Sequence, residues 1–270
     1  MTTGLIEILK NKRMIFTVTT GRSGTAYLTE VFGNLKGVSA FHEPSPEYVE
    51  VLRSAQRDRR LAEQFVLEQK LPVIASCPAP IYVETSHLVC KGFLEIFLEH
   101  GLLPDLVVHR RPARQVSLSL LKMGTVPGRS PKALKFYLQP SDPGVLPLPG
   151  WQHLSDYQLC YWYCREIERR AQHYTELFRG MGARVVETTL PGLKTSQGLN
   201  EMMAGLDLRL KSPALLYRLR FLRNSRFKVN ESKVTKKVVE IPPDLDAQES
   251  QVVQLSEGLA GEIPTADAIR

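Results

Sequence analysis

Apolar runs alternate with helical stripes along most of this chain. Residues 14–20 (MIFTVTT) form a short β-rich run, and over 28–35 the apolar residues recur at i, i+3, i+4 and i+7. Gly37 follows at the position where a helix commonly ends on a glycine. The pattern therefore predicts a strand, a glycine-containing loop and a helix.

Four further strands are predicted, at 38–41, 81–85, 106–109 and 184–187. Helical patterns separate most of them, and strands that alternate with helices favour a parallel sheet covered on both faces. The sequence thus predicts an α/β fold: a three-layer sandwich with a mainly parallel, roughly five-stranded central sheet.

Prolines mark the predicted helix starts. Ser45 is expected to cap a helix that has Pro46 at its first position and that continues to about residue 70, with a break at 57–60. A second helix begins after Pro112. The segment 124–150 carries six prolines, so we expect it to lack regular structure and to form a long functional loop.

Length and composition fit a single domain, because 270 residues with 43% hydrophobic content can bury one large core. The sequence shows no membrane span and no secretory signal, which predicts a cytoplasmic protein. The four cysteines are too scattered for a disulfide framework. We predict a domain over 1–230, with 124–150 as its substrate loop, and a charged C-terminal extension over 231–270.

The net charge of +7 favours an anionic partner without identifying it. Basic residues cluster at 57–60 and 218–228. A basic module that binds nucleic acid would use such a cluster, but no recognised nucleic-acid motif supports it, so we expect no nucleic-acid partner. The sequence does not indicate an oligomeric state.

The loop GRSGT, at 21–25, has the composition of an oxyanion site. Gly21 and Gly24 allow close backbone approach, and the amides of the following helix turn favour an anion. Ser23 and Thr25 add hydroxyl groups. Arg22 adds a permanent cation that can bind two oxygens at once.

This loop differs from the ordinary nucleotide P-loop, GxxxxGK[ST], since it is shorter and has arginine in place of lysine. No acidic strand end stands out as a magnesium ligand. A P-loop kinase or nucleotide hydrolase acting on a small molecule therefore remains as the alternative hypothesis.

Two segments together resemble a known family. TTGRSGTAYL, after the first strand, is similar to the 5′-phosphosulfate loop of the sulfotransferases that use 3′-phosphoadenosine 5′-phosphosulfate (PAPS), and VVHRRPARQVSLSL is similar to their 3′-phosphate segment. The resemblance runs from about residue 12 to 230. It implies a P-loop NTPase-like fold, PAPS as the sulfuryl donor, 3′-phosphoadenosine 5′-phosphate (PAP) as the product, and no metal requirement.

The resemblance also implies roles for individual residues. Arg22 would contact the 5′-phosphate and act in catalysis, and Tyr27 would lie against the adenine unless it packs between helix and sheet. Arg110 would hold the 3′-phosphate together with one of two serines. The implied donor-binding residues are Arg22, Ser23, Gly24, Thr25, Ala26, Tyr27, Arg110, Ser117 and Ser119.

Two residues are candidates for the base that takes the acceptor's proton. Glu43, in FHEP after the second strand, resembles the glutamate of the carbohydrate-modifying branch, and His87 resembles the histidine of the small-molecule branch. Glu84 is expected to orient the base or contact the acceptor, and Lys91 to assist Arg22. The preference for Glu43 implies a carbohydrate or glycolipid acceptor, with a phenolic or alkyl alcohol as the alternative.

Overall fold

Five parallel strands form the centre of the structure, which is a computed structural model that describes residues 2–212 and 241–257. The strands are β1 (Arg13–Val18), β2 (Val38–Phe41), β3 (Ile81–Glu84), β4 (Asp105–Arg110) and β5 (Val185–Thr189). Their order in the sheet is β2-β3-β1-β4-β5, and all neighbouring pairs are parallel. The carboxyl ends of all five strands therefore share one edge.

Helices cover both faces of this sheet. They are α1 (Thr2–Lys10), α2 (Thr25–Gly33), α3 (Leu52–Ala55), α4 (Arg59–Phe65), α5 (Leu71–Ser76), α6 (Leu94–Glu99), α7 (Ala113–Lys122), α8 (Pro131–Phe136), α9 (Asp156–Gly180), α10 (Leu190–Leu193), α11 (Ser196–Gly205) and α12 (Leu245–Glu257). Short 3₁₀ turns lie at Tyr48–Glu50 and Trp151–His153, and a π-helical turn, Val66–Lys70, joins α4 to α5.

Alternate residues of the strands enter two separate cores. In β1, Phe16 packs with the core that contains α6, α7 and α9, whereas Ile15 packs with α2 and α11 on the other face. Both side chains are fully buried, as expected for a strand covered on two sides. The predicted three-layer α/β sandwich with a five-stranded parallel sheet is thus confirmed.

The helix predicted from Pro46 differs in its start. Its first turn is the 3₁₀ turn at Tyr48–Glu50, where Glu47 and Glu50 form a reciprocal capping box. The predicted break at 57–60 is confirmed, because α3 ends at Ala55 and the carboxylate of Asp58 caps α4 by accepting from the amide of Arg60.

The prediction that 124–150 lacks regular structure was wrong for α8. The hydroxyl of Ser130 accepts from the amide of Ala133, and Pro131 occupies the first helical position, where its missing N–H costs nothing. Leu138 and Leu146, further along the segment, are buried in the larger core. Much of the predicted loop is therefore fixed against the domain.

Part of the predicted C-terminal extension also packs on the domain. Helix α12 lies against α9, with Val252 fully buried, and Glu249 accepts hydrogen bonds from Arg114 and Tyr157. The basic cluster at 218–228 lies outside the described residues. Among the helices described, none has the length and apolar character needed to cross a bilayer.

Candidate functional site

The strand order brings four chain segments to one edge of the sheet. Strand β1 lies between β3 and β4, so the loop after β1 is flanked by the segments that follow those two strands. Strand β2 is next to β3, and Glu43 follows it closely. Ligand sites of parallel sheets form at such an edge.

The loop at 19–24 has a backbone suited to an anion. Arg22 has φ of 68° and Gly24 has φ of 103°, with Ser23 between them, and alternating φ signs turn successive amides toward one concavity. Helix α2 begins directly afterwards, and no side chain caps its first turn. The free amides and the helix dipole both favour a bound oxyanion.

Several predicted loop residues face inward. The hydroxyl of Ser23 donates to the carbonyl of Thr20 at 2.9 Å and is buried, so it stabilises the loop itself. Thr25 is also buried, and Ala26 is partly buried on the first turn of α2. Tyr27 packs in the core between α2 and the sheet, the alternative foreseen for it.

Arg22 and Arg111 bring two cations together beside this loop. The guanidinium of Arg111 donates to the carbonyl of Arg22 at 2.6 Å, and Nε of Arg22 lies 3.4 Å from Oγ of Ser119. Burial, followed by the nearby Arg22 cation, lowers the pKa of Arg111. In the described part of the chain neither guanidinium forms an ion pair with a carboxylate, which leaves both available to an anion.

Arg110, the arginine singled out from the sequence, does not join this pair. Its guanidinium forms ion pairs with Glu168 and with Glu187, the latter at 3.1 Å from Nε. Ser117 is fully buried and donates to the carbonyl of Ala113 at 2.8 Å. The sequence analysis did not single out Arg111, although the doublet RRP contained it.

The two candidate bases are neighbours. Oε1 of Glu43 lies 3.5 Å from Nε2 of His87, and Nζ of Lys91 lies 3.0 Å from Nδ1 of the same ring. This follows from the sheet order, because Glu43 and His87 follow adjacent parallel strands. The alternatives drawn from the sequence are therefore parts of one cluster, Glu43–His87–Lys91.

The electrostatics of this cluster favour a neutral His87. Burial, and then the adjacent Lys91, lower the pKa of His87 well below its usual range. Lys91 is fully buried; it donates to the carbonyl of Phe136 and lies over the ring of Tyr137 at 5.1 Å. Because an N–H group of Lys91 donates to Nδ1, we assign the ring proton to Nε2, which faces Glu43.

Gly21 links the cluster to the loop. A Cβ added at Gly21 would lie 3.2 Å from the hydroxyl of Tyr137 and 3.5 Å from Cε1 of His87. The backbone of the anion loop therefore approaches the cluster so closely that a side chain at this position would force its neighbours to move. The cations and the cluster form one continuous site.

Glu84 contacts Lys70 and Tyr82, and it makes no hydrogen bond or ion pair with the cluster Glu43–His87–Lys91. Its carboxylate is fully buried, 3.1 Å from Nζ of Lys70, and accepts a hydrogen bond of 2.9 Å from the hydroxyl of Tyr82. Burial raises the pKa of Glu84 to about 7, although Lys70 and Tyr82 act in the opposite direction. Direct contact of Glu84 with an acceptor remains a prediction from the sequence alone.

Comparisons with known proteins add a fold-level similarity. No protein-family model matches the sequence, and no curated protein matches it. Among solved structures, the sulfotransferase domain from the curacin biosynthetic pathway is similar to this chain, with 14% identity and a TM-score of 0.49 over 94% of this chain and 99% of that domain. A similarity this low does not identify the activity of this chain.

Proposed function

We propose that the chain transfers a sulfuryl group from PAPS to an acceptor hydroxyl. The observation that carries the proposal is the pair of guanidinium groups, Arg22 and Arg111, which lie beside an amide-lined loop and form no ion pair within the described residues. Two cations held close together repel each other unless an anion lies between them. A donor with phosphates at both its 3′ and 5′ positions supplies such anions.

The donor would be held from two sides. The loop amides and Arg22 suit the 5′-phosphosulfate, where charge develops on the leaving phosphate as the S–O bond breaks. Arg111 and Ser119 suit the 3′-phosphate, because they belong to the segment that follows β4 and lie beside the loop after β1. Arg110 stays the sequence-based candidate for that contact, but it would first have to leave Glu168 and Glu187.

We assign the base to Glu43. The low pKa of His87 makes its ring a weak proton acceptor, while its Nε2–H faces the Glu43 carboxylate. Glu43 would take the proton of the acceptor hydroxyl as the acceptor oxygen bonds to sulfur, and PAP would leave with the electrons of the broken S–O bond. His87 and Lys91 would orient the carboxylate.

The proposed acceptor is a hydroxyl of a carbohydrate or glycolipid. The segment 124–150 brings Phe136 and Tyr137 beside His87, with the rings of Tyr137 and His87 5.6 Å apart. An aromatic face next to a carboxylate suits a sugar, which has both apolar ring faces and hydroxyl groups. The proposed acceptor depends on the assignment of Glu43 as the base, because that glutamate resembles the base of the carbohydrate-modifying branch.

Calorimetric titration of PAP in the presence of EDTA tests the donor. We expect binding, with at least a tenfold loss of affinity, about 1.4 kcal/mol, in Arg22→Ala and in Arg111→Ala. Arg129→Ala is the matched control, since that arginine pairs with Asp156 elsewhere on the surface. Absence of binding would exclude the proposal, and magnesium-dependent turnover of ATP would favour the kinase or hydrolase alternative.

A further inference from the structure

A second buried lysine lies directly behind Glu43. Nζ of Lys70 donates to the carbonyl of Pro44 at 3.1 Å and to that of Pro46 at 2.8 Å, and it lies 3.1 Å from the carboxylate of Glu84. Both charged side chains are fully buried. The ammonium thus makes two hydrogen bonds to backbone carbonyls and an ion pair with Glu84, whose Oε1 accepts no hydrogen bond among the described residues.

The position of Lys70 follows from an irregularity in the helix. Lys70 ends the π-helical turn at Val66–Lys70, which inserts into the path from α4 to α5. Such insertions change the direction of the side chains that follow, and they are frequent at functional sites. Here the side chain of Lys70 is turned inward, over the ring of Tyr48 at 4.6 Å.

The residues that Lys70 contacts have a reduced capacity for hydrogen bonds. Pro44 and Pro46 have no N–H group, so the carbonyl is the one backbone hydrogen-bonding group of each, and Lys70 binds both carbonyls. Glu43, which precedes them, has φ of 48°, a conformation that costs energy in a residue with a side chain and that persists where the surroundings enforce it.

We propose that the Lys70–Glu84 pair positions Glu43 by fixing the carbonyls of Pro44 and Pro46, so that the Glu43 carboxylate faces His87. Lys70 is a positioning residue in this arrangement, since it acts through the backbone next to Glu43. The consequence for catalysis rests on the proposed function, whereas the geometry itself does not. Glu84 holds Lys70 in place from β3 and balances its charge.

Nitrogen NMR of the histidine rings in the free protein tests this inference without any substrate. The ring signals of His87, assigned with His87→Gln, report the group that faces Nε2. We expect Glu43→Gln to shift the Nε2 signal and Lys70→Met/Glu84→Gln to shift it in the same direction. The double change removes both buried charges together, so that neither is left unpaired.

A variant that combines these changes sharpens the test. Adding Glu43→Gln to Lys70→Met/Glu84→Gln should produce no further shift, because the contact is already lost. Arg13→Met is the matched control: it breaks the ion pair of Arg13 with Asp105 at the opposite end of the sheet and should leave His87 unchanged. If Lys70→Met/Glu84→Gln does not fold, Lys70→Leu/Glu84→Gln, which also leaves no unpaired buried charge, provides the same comparison.

Three results would overturn the inference: a His87 signal that stays as in the unaltered protein when Lys70 is replaced, a signal that does not respond to Glu43→Gln, or an equal response to Arg13→Met. The outcome is separate from that of the proposed function. If the protein fails to bind PAP but shows the expected His87 shifts, the positioning role of Lys70 stands and the sulfotransferase proposal is wrong.

Discussion

Lys70 and Lys91 are both fully buried, yet their surroundings differ. Lys70 lies against the carboxylate of Glu84 and two carbonyl oxygens. Lys91 faces a ring nitrogen of His87, one carbonyl and aromatic rings, and has no carboxylate partner among the residues described. Burial lowers the pKa of Lys91 from 10.5 to about 7.

This difference separates a lysine that supports the backbone from one that titrates. Lys70 has an ion-pair partner and two carbonyl acceptors, through which it can hold backbone atoms in place. Desolvation disfavours the charged form of the unpaired Lys91 ammonium, so this lysine changes its charge near neutral pH. Groups at functional sites often have such shifted pKa values. At one edge of the sheet, Lys70 thus holds the backbone next to Glu43, whereas Lys91 lies beside His87 and titrates near neutral pH.

The largest expected difference lies in stability. Lys70→Met leaves the buried Glu84 carboxyl without its cation and the carbonyls of Pro44 and Pro46 without their donor. We expect these losses together to lower the free energy of unfolding by about 3–5 kcal/mol. Lys91→Met removes a cation that the fold disfavours and loses its hydrogen bonds, so we expect a change within about 2 kcal/mol. Urea denaturation of both variants at pH 7 measures these values.

An equal loss of stability in Lys70→Met and Lys91→Met would contradict the proposed difference between the two lysines. Lys70→Met/Glu84→Gln is the internal control, because it removes the unpaired charge and should recover part of the loss. A double variant no more stable than Lys70→Met would mean that the lysine contributes mainly through its packing against Tyr48.

The sequence predicted the fold well because its signals are local. The apolar run of β1, the helical stripe of α2 and the proline at α7 each specify an element without reference to distant residues. Helix α8 was missed because six prolines and four glycines in 124–150 outweighed the short capping signal at Ser130 and Pro131.

The candidate site was only partly predictable, because side-chain partners depend on sheet order. Nothing local shows that Glu43 and His87 follow neighbouring strands, so they stood as alternatives. In the same way, the pattern could not show that Arg110 turns toward Glu168 and Glu187 while Arg111 turns toward the loop. The buried Lys70 depended on a π-helical turn, for which no pattern was recognised.

The next difference is in pH dependence. The folded protein releases the proton of Lys91 near pH 7, whereas the unfolded chain keeps it until about 10.5, so between these values the unfolded state binds more protons. Stability should therefore rise with pH relative to Lys91→Met, by at most about 1.4 kcal/mol per pH unit. Denaturation of both proteins from pH 7 to 9 measures this slope.

Lys70→Met/Glu84→Gln provides the contrast for the pH experiment. It retains Lys91 and has no titrating carboxyl at position 84, so its stability relative to Lys91→Met should still rise over pH 7 to 9. Parallel curves for the unaltered protein and Lys91→Met would contradict the assignment, since they would mean that Lys91 has the same pKa in the folded and unfolded states.

The smallest expected effect concerns Tyr48, whose ring lies under Lys70. Its buried hydroxyl has no hydrogen-bond partner among the described residues, whereas the hydroxyl of Tyr82 donates to Glu84. Tyr48→Phe keeps the ring and should leave the free energy of unfolding unchanged or raise it by up to about 1 kcal/mol. Tyr82→Phe is the matched control. It should lower the free energy of unfolding by about 1.5–3 kcal/mol, because the hydrogen bond to the buried Glu84 carboxylate is lost. A clear loss in Tyr48→Phe would show that its hydroxyl, and not only its ring, supports the Lys70 ammonium.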